Sequence, residues 1–381
     1  MTLRWAALAL LLLALSPRGS EAHKPSDSYL TLSQPASGAT LEGRWDLALR
    51  DLEHAVGLDA NGDGDITWGE LKASENVVVR YAFLRLGVEA LSRGEREACV
   101  LRPQQLLFDE HVDGGYAVLR FSAQCPFRPN QLTVHYDLLF DLDPNHRGLL
   151  DIRAAGQSQA LVLSADNSTA TLNLDSPDRW RQFRAFLDEG VWHIWKGYDH
   201  ILFLLTLLLP AVVLYRNRAW QPRGSMRDAL LDVLKVVTAF TFAHSLTLTA
   251  AVNGLVNLPS RLVESGIAIT VLLGALNNLF PVVRERRWAV AFAFGLIHGL
   301  GFASVLTDLG LRHWDLALAL VGFNVGVETG QLAIVLVFVP IAFALRDTRL
   351  YRYALMPGGA VAISAVAAYW LALRASGFGV Q

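Results

Sequence analysis

The sequence predicts a polytopic α-helical membrane bundle preceded by an exported, mainly β domain, and three observations lead to this fold class. Hydrophobic residues make up 52% of the 381 residues and charged residues only 18%, with a mean hydropathy of +0.32, which excludes a disordered chain or a coiled coil. The second half contains six apolar segments long enough to cross a bilayer. The first half instead alternates short β-like runs with turns.

Residues 1–22 have the features of a signal peptide. Arg4 precedes an apolar run from Ala6 to Leu15, and Ser20 and Ala22 supply the small residues of a cleavage site. The run is shorter than the about 20 residues that a membrane span needs, so an uncleaved anchor is the less favoured alternative. We therefore expect a mature chain that begins at His23 and a following domain outside the cytoplasm.

Residues 23–177 are predicted to form the exported β domain. The strand-like runs cover 28–33, 116–123, 132–142, 149–154, 159–164 and 169–174. A helical insertion is expected from about Trp45 to Leu91, because apolar residues recur at helical spacing on both sides of a Gly/Asp-rich loop. Cys99 and Cys125 both lie in this domain, and an oxidising compartment would permit a disulfide between them.

The Gly/Asp-rich loop at 59–70 matches the EF-hand calcium pattern. Side-chain oxygens occupy positions 1, 3, 5 and 12, Gly64 occupies position 6, and Asp65 at position 7 offers its backbone carbonyl. The predicted calcium ligands are Asp59, Asn61, Asp63, Asp65 and Glu70. We expect a structural site, because a calcium sensor normally pairs two such loops.

A short amphipathic helix at 178–189 is predicted to lead into a six-span membrane domain at 190–381. The spans are placed near 190–214, 231–252, 263–283, 288–307, 315–345 and 354–373. The fifth is longer than a bilayer requires, so it is expected to tilt, to break near Pro340 or to extend beyond the lipid. If the first span runs inward, the inner loops contain ten arginines and the outer loops three, as the positive-inside rule requires. The N-terminal domain and the C-terminus would then both lie outside the cytoplasm.

Ionisable side chains within the predicted spans indicate a candidate metal site. Each costs at least ~2.5–3.5 kcal/mol to insert, although any single one could instead hydrogen-bond a neighbouring helix. The predicted metal ligands are His193, Asp199, His200, His244, His298 and Glu328. Imidazole together with carboxylate suits nickel, cobalt, zinc or iron. Lys196 lies beside this group and would repel a metal unless it pairs with Asp199 or extends outward.

Other polar residues and the glycines of the spans have separate predicted roles. The predicted pathway-lining residues are Asn277, Asn278, Asn324 and Gln331. For Asn277 and Asn278, capping of a broken helix before Pro281 is the alternative. Glycines at four-residue spacing, Gly322, Gly326 and Gly330 in the fifth span and Gly295 and Gly299 in the fourth, predict close helix packing.

Several motifs resemble the HupE/UreJ family of membrane proteins. They are the segment from Gly190 to Phe203 with its Asp199-His200 pair, Phe242-Ala243-His244-Ser245, and Ile297-His298-Gly299-Leu300-Gly301. The resemblance extends over the exported chain, including 26–30 and 140–148. It implies a secondary permease for nickel or cobalt in which His193, Asp199, His200 and His298 take part in transport. The chain departs from the shorter permeases in its exported domain and in Phe302, Ala303 and Ser304, where they have a nearby Glu that Glu328 would replace.

Three classes of function are compatible with this sequence. A net charge of −2 argues against a nucleic-acid partner. The first class is the metal permease, whose partners would be the lipid bilayer, the divalent ion and a periplasmic or extracellular metal-delivery protein. The second is a membrane-embedded zinc-dependent hydrolase of lipid-like amides or esters, assisted by Ser245 or Glu328, and the third is a non-enzymatic assembly or sensing protein. A transporter needs polar groups along a path, whereas a hydrolase needs one closed cluster.

Overall fold

The computed structural model describes residues 26–35, 38–111, 114–154, 157–176, 178–256, 258–303 and 313–376. The predicted signal peptide and His23 lie outside these residues. Within them, a mainly β N-terminal part precedes a helical C-terminal part, as the sequence predicts.

Two packed sheets form the β domain. Its strands are β1 (Asp27–Ser33), β2 (Thr40–Ala48), β3 (Leu86–Ser92), β4 (Glu95–Ala98), β5 (Val100–His111), β6 (Gly114–Gln124), β7 (Gln131–Tyr136), β8 (Arg147–Ala154), β9 (Gln157–Leu163) and β10 (Thr169–Asn173). The larger sheet has the order β5-β6-β2-β1-β8-β9 and the smaller one β10-β7-β3-β4. Paired strands are antiparallel except β1 and β8. Alternate residues such as Leu30, Trp45 and Val134 point between the sheets and form the core.

The helical insertion is shorter than predicted. Its helices are α1 (Leu49–Val56), α2 (Trp68–Ala73) and α3 (Glu75–Phe83). The predicted range from Trp45 to Leu91 is therefore wrong at both ends, because Trp45 lies in β2 and Leu91 in β3. The strand β2 passes into α1 without a turn, so the sequence contains no boundary signal there. A disulfide joins Cys99 to Cys125, at the start of β5 and the end of β6.

A buried hydrogen-bonded chain fixes the beginning of β1. The Nδ1 atom of His146 lies 2.5 Å from Ser26 Oγ, and its Nε2 lies 2.6 Å from the Tyr136 hydroxyl. That hydroxyl lies 2.5 Å from Ser28 Oγ. His146 is fully buried, and this burial lowers its pKa to about 3.

We expect His146 to make the β domain sensitive to acid. Below pH ~6.5 the unfolded chain binds a proton that the folded chain binds only near pH 3, so the free energy of unfolding falls by up to ~1.4 kcal/mol per pH unit between these values. His146→Gln should flatten this dependence. The measurement is thermal unfolding of the full-length protein in detergent from pH 7 to pH 4, with half-exposed His135→Gln as the control. Equal acid sensitivity of His146→Gln and the wild type would contradict the prediction.

The C-terminal part contains four helices that are long and apolar enough to cross a membrane, at 226–252, 260–279, 314–345 and 351–374 of the described chain. The helices are α4 (Arg179–Lys196), α5 (Tyr198–Leu208), α6 (Met226–Val252), α7 (Ser260–Leu279), α8 (Arg287–His298), α9 (His313–Leu345) and α10 (Met356–Ser376). A hairpin of β11 (Val213–Arg216) and β12 (Ala219–Pro222) follows α5, and a π-helical turn (Tyr351–Leu355) precedes α10. The prediction of six full-length spans is therefore wrong.

Two of the predicted spans are broken or shortened. The first, 190–214, is divided at Gly197, and its second part, α5, has 11 residues and a length of about 16 Å, half the hydrocarbon thickness. Beyond Leu208 the apolar residues form a turn and β11. The fourth, 288–307, contains α8, which ends at His298, and residues 304–312 lie outside the described ones.

Two helices continue past predicted boundaries. A single helix, α4, includes both the predicted lead-in helix and the start of the predicted first span. The 33 residues of α9 continue through Pro340 and measure about 50 Å, so this helix is longer than the hydrocarbon layer is thick, and the predicted break does not occur.

Glycines bring these helices close together, as predicted. A Cβ atom on Gly190 of α4 would overlap the carbonyl oxygen of Phe323 in α9, and one on Gly326 would overlap that of Leu187. In α8, a Cβ atom on Gly295 or Gly299 would overlap the backbone of α6. The α4–α9 and α6–α8 pairs therefore pack backbone against backbone.

The β domain packs on the N-terminal ends of α4 and α9. Tyr29, Tyr116 and Leu149 project from the outer face of the six-stranded sheet, the face turned away from the β core. They share an apolar cluster with Phe186 of α4 and Phe323 of α9. One end of this sheet face is thus covered by α4 and α9.

Candidate metal centre

A helix break at Gly197 brings two histidines together. His193 lies in the last turn of α4 and His200 in the first turn of α5. A Cβ atom on Gly197 would lie 2.6 Å from the carbonyl oxygen of His193 and 3.1 Å from His200 Nδ1, so only glycine fits without a shift. The two imidazole rings are 4.5 Å apart between centroids. They meet because the helix is broken, and not because they share a helical stripe.

His244 of α6 completes a three-histidine group with His193 and His200. One ligand atom from each imidazole lies within 4.8 Å of the others. His244 is fully buried and His200 is 6% exposed. Three nitrogen donors at such separations suit a divalent transition metal.

The group contains buried nitrogen atoms without a hydrogen-bond partner among the described residues. They are Nε2 of His193, Nε2 of His200, both ring nitrogens of His244 and Nδ1 of the neighbouring His298. An unpaired buried polar group costs ~1–3 kcal/mol. Such a concentration in one place indicates a site that binds a ligand.

Asp199 and Lys196 lie around the group and not within it. Asp199 Oδ1 lies 3.2 Å from Nδ1 of His200, so this carboxylate orients the imidazole and leaves Nε2 for a ligand. The Lys196 side chain is exposed, and its ammonium nitrogen lies 5.2 Å from the centroid of the Trp192 ring. The predicted repulsion is relieved by this outward position.

His298 borders the group, and aromatic rings surround it. The His298 ring lies 5.1 Å from that of His200, and its Nε2 lies 2.8 Å from Thr270 Oγ1. The surrounding rings are Phe302 and Phe323, which contact His193, and Phe203 and Phe240, which contact His298. Thr270 and these rings were not predicted from the sequence as site residues, because single threonines and aromatic residues are common in apolar spans and carry no distinguishing signal.

Glu328 and Gln331 have partners outside the three-histidine group. Glu328 accepts a hydrogen bond from Thr238 at 2.7 Å, and Gln331 accepts one from Thr241 at 2.9 Å. Both bonds join α9 to α6. The structure does not bring Glu328 into the group.

The three asparagines bond to backbone atoms. Asn324 donates to the carbonyl of Leu320, and Asn278 donates to that of Thr206. Asn277 accepts from the amides of Val282 and Val283 and so caps the end of α7, the alternative considered for it.

The predicted calcium loop lies between α1 and α2. Asp59 accepts hydrogen bonds from the amides of Gly62 and Gly64, and Glu70 accepts from those of Thr67 and Ala60. These hydrogen bonds lower the pKa values of both carboxyl groups. The largest contribution comes from the Gly64 amide for Asp59 and from the Thr67 amide for Glu70. Gly64 has a φ of +89°, which favours glycine at this position.

No curated protein matches the chain. A family model described as HupE/UreJ protein matches residues 168–374, more than half of the chain. The matched region begins beside β10 and contains the helix break, the three-histidine group and His298. Most of the β domain lies outside it. The chain therefore belongs to the HupE/UreJ family of membrane proteins.

Proposed function

We propose that the protein is a secondary permease for a divalent transition metal, nickel or cobalt, in the cell membrane. The observation that carries this proposal is the three-histidine group at the Gly197 break, in a bundle whose family is linked to transport of these two metals. Discontinuous helices that meet inside the bilayer are a recurrent architecture for substrate sites in secondary transporters.

Two helix ends beside the group favour a cation, and the positive N-terminal end of α5 at His200 is offset by the Asp199 carboxylate in its first turn. The C-terminal ends of α4 and α8 carry partial negative charge, and they lie at His193 and His298. Imidazole nitrogens replace the hydration shell of the ion, and the aromatic rings exclude bulk water. Protons compete with the ion for these nitrogens, which would couple its release to proton movement. In this proposal the β domain and the C-terminus lie outside the cytoplasm.

A zinc-dependent hydrolase is the second candidate, favoured by one observation. The three histidines form a compact cluster, a ligand set also found in catalytic zinc sites. The two residues expected to assist hydrolysis have other partners, because Ser245 donates to the Thr241 carbonyl and Glu328 accepts from Thr238. The two groups that hydrolysis would need are thus engaged elsewhere, and this, together with the family's link to metal transport, supports the permease better.

Uptake into proteoliposomes tests the two candidates against each other. We expect saturable accumulation of radioactive nickel or cobalt by the full-length protein, which responds to an imposed pH gradient because protons compete for the imidazoles. Elemental analysis of the purified protein should show little retained zinc. One equivalent of tightly held zinc without uptake of nickel or cobalt would overturn the permease and favour the hydrolase.

In the exported domain, loop 59–70 is proposed to bind calcium as a structural element. The ionised Asp59 and Glu70 and the turn at Gly64 fit this ion. Calcium at 100 times its Kd should stabilise the domain by ~2.7 kcal/mol, and Glu70→Gln should remove most of this gain. The measurement is thermal unfolding of the full-length protein with and without calcium. Glu75→Gln is the control, because Glu75 pairs with Lys72 outside the loop. An equal calcium response in Glu70→Gln would refute the site.

A further inference from the structure

The outer face of the six-stranded sheet has an open groove beyond the part that the membrane helices cover. Its volume is about 690 Å³. Polar side chains line it, among them Thr31, Arg44, Asp46, Asp109, His111 and Arg153. This groove was not anticipated from the sequence, because its residues come from strands far apart in the chain.

Asp46, Asp109 and His111 converge in this groove. Each offers a ligand atom within 4.8 Å of the other two. Asp46 is 4% exposed, and its Oδ2 lies 3.1 Å from His111 Nε2. The His111 ring stacks on Tyr116 at 4.1 Å, which fixes its orientation. One imidazole with two carboxylates is a donor set suited to a divalent transition metal.

The Arg44 guanidinium lies between the two carboxylates, where a metal ion would bind. Its Nη2 lies 2.6 Å from Asp46 Oδ2 and 2.6 Å from Asp109 Oδ2. Its side chain is 41% exposed, so the guanidinium has a path into the groove. Arg120 stands directly opposite Arg44 on the neighbouring strand β6 and also lines the groove.

We propose that Asp46, Asp109 and His111 form a second site for a divalent transition metal, on the exported domain, from which Arg44 is displaced when the ion binds. A divalent ion neutralises both carboxylates and in addition bonds the imidazole, which a guanidinium does not. Metal binding at this site does not depend on the proposed permease function. Only its suggested role, to bind the ion before transport, rests on that function. Its position fits that purpose, because Tyr29 and Tyr116 contact both His111 and the apolar cluster of the membrane helices.

The test is equilibrium dialysis of the full-length protein in detergent against Co²⁺ alone and Zn²⁺ alone, with calcium present throughout. The His200→Ala background removes the membrane site. In this background we expect about one bound ion, weakened at least tenfold by His111→Ala or Asp46→Asn. Arg44→Gln should tighten binding at least tenfold, because the competing cation is gone. Arg153→Gln is the matched control, since Arg153 pairs with Asp151 on the same sheet face at 2.6 Å, and it should leave the affinity unchanged.

Three outcomes would overturn the site. The first is that neither the His200→Ala protein nor its Arg44→Gln derivative binds an ion, and the second is that binding survives both His111→Ala and Asp46→Asn. The third is that Arg153→Gln tightens binding as much as Arg44→Gln does. The Arg44→Gln variant keeps all three proposed ligands and is expected to bind the ion more tightly. A misfolded protein would bind more weakly, so misfolding cannot produce the expected result. The two proposals fail differently. If His200→Ala leaves the wild-type stoichiometry unchanged while His111→Ala lowers it, the membrane site is refuted and the exported site stands.

Discussion

His200→Ala is expected to abolish nickel or cobalt uptake and to weaken binding at the membrane site by more than about 100-fold. The change removes one of three nitrogen donors and also the only imidazole of the three that is oriented by a carboxylate, Asp199, among the described contacts. Uptake into proteoliposomes and binding by titration calorimetry are the two measurements. Calcium-dependent stabilisation should be retained, because loop 59–70 lies in the other domain.

Two further variants make this prediction specific. Asp199→Asn should weaken binding by about 10- to 100-fold, less than His200→Ala, because it alters the orientation and basicity of the ligand and not the ligand itself. Ser245 directly follows His244 in the chain, but its hydroxyl donates a hydrogen bond to the Thr241 carbonyl within α6. The Ser245→Ala variant should therefore transport normally. Loss of uptake in Ser245→Ala equal to that in His200→Ala would contradict the assignment of transport to the three-histidine group alone.

The β sheets could be predicted where one face of a strand is buried. The strands β1, β6 and β8 have a buried face against the core, and their apolar residues indicate them. The edge strand β5 is exposed over most of its length, so its sequence lacks that pattern. The number of spans was wrong for a related reason. Hydropathy measures how apolar a segment is, but it does not show that the chain turns after Leu208.

The cost of burying ionisable groups identified the histidines, but not their arrangement. His193 and His200 meet through the break at Gly197, which the helical-stripe argument did not contain. On α9, the glycine stripe faces α4 and the Glu328 stripe faces α6. Which stripe faces the histidines depends on how the helices pack, and a single sequence does not specify this. The sequence alone therefore could not show that the Glu328 carboxylate lies apart from the three histidines.

Gly326→Ala is expected to destabilise the membrane bundle by about 3 kcal/mol or more, because its Cβ would overlap the backbone carbonyl of Leu187, which cannot move as a flexible side chain does. The helices α4 and α9 would have to separate, and α4 carries His193, so metal affinity should fall together with the unfolding temperature in detergent. Gly358→Ala makes the same chemical change in α10, where nothing lies within 4 Å of the new Cβ. This control should be neutral or stabilising by up to ~1 kcal/mol through helix propensity.

Equal unfolding temperatures for the two glycine variants would show that the α4–α9 contact is loose. A lower unfolding temperature with unchanged metal affinity would show that the position of His193 does not depend on this contact. The expected result, a loss of both in Gly326→Ala alone, would mean that the backbone contact between α4 and α9 sets the geometry of the site, because α4 carries His193 in its last turn and ends at the Gly197 break.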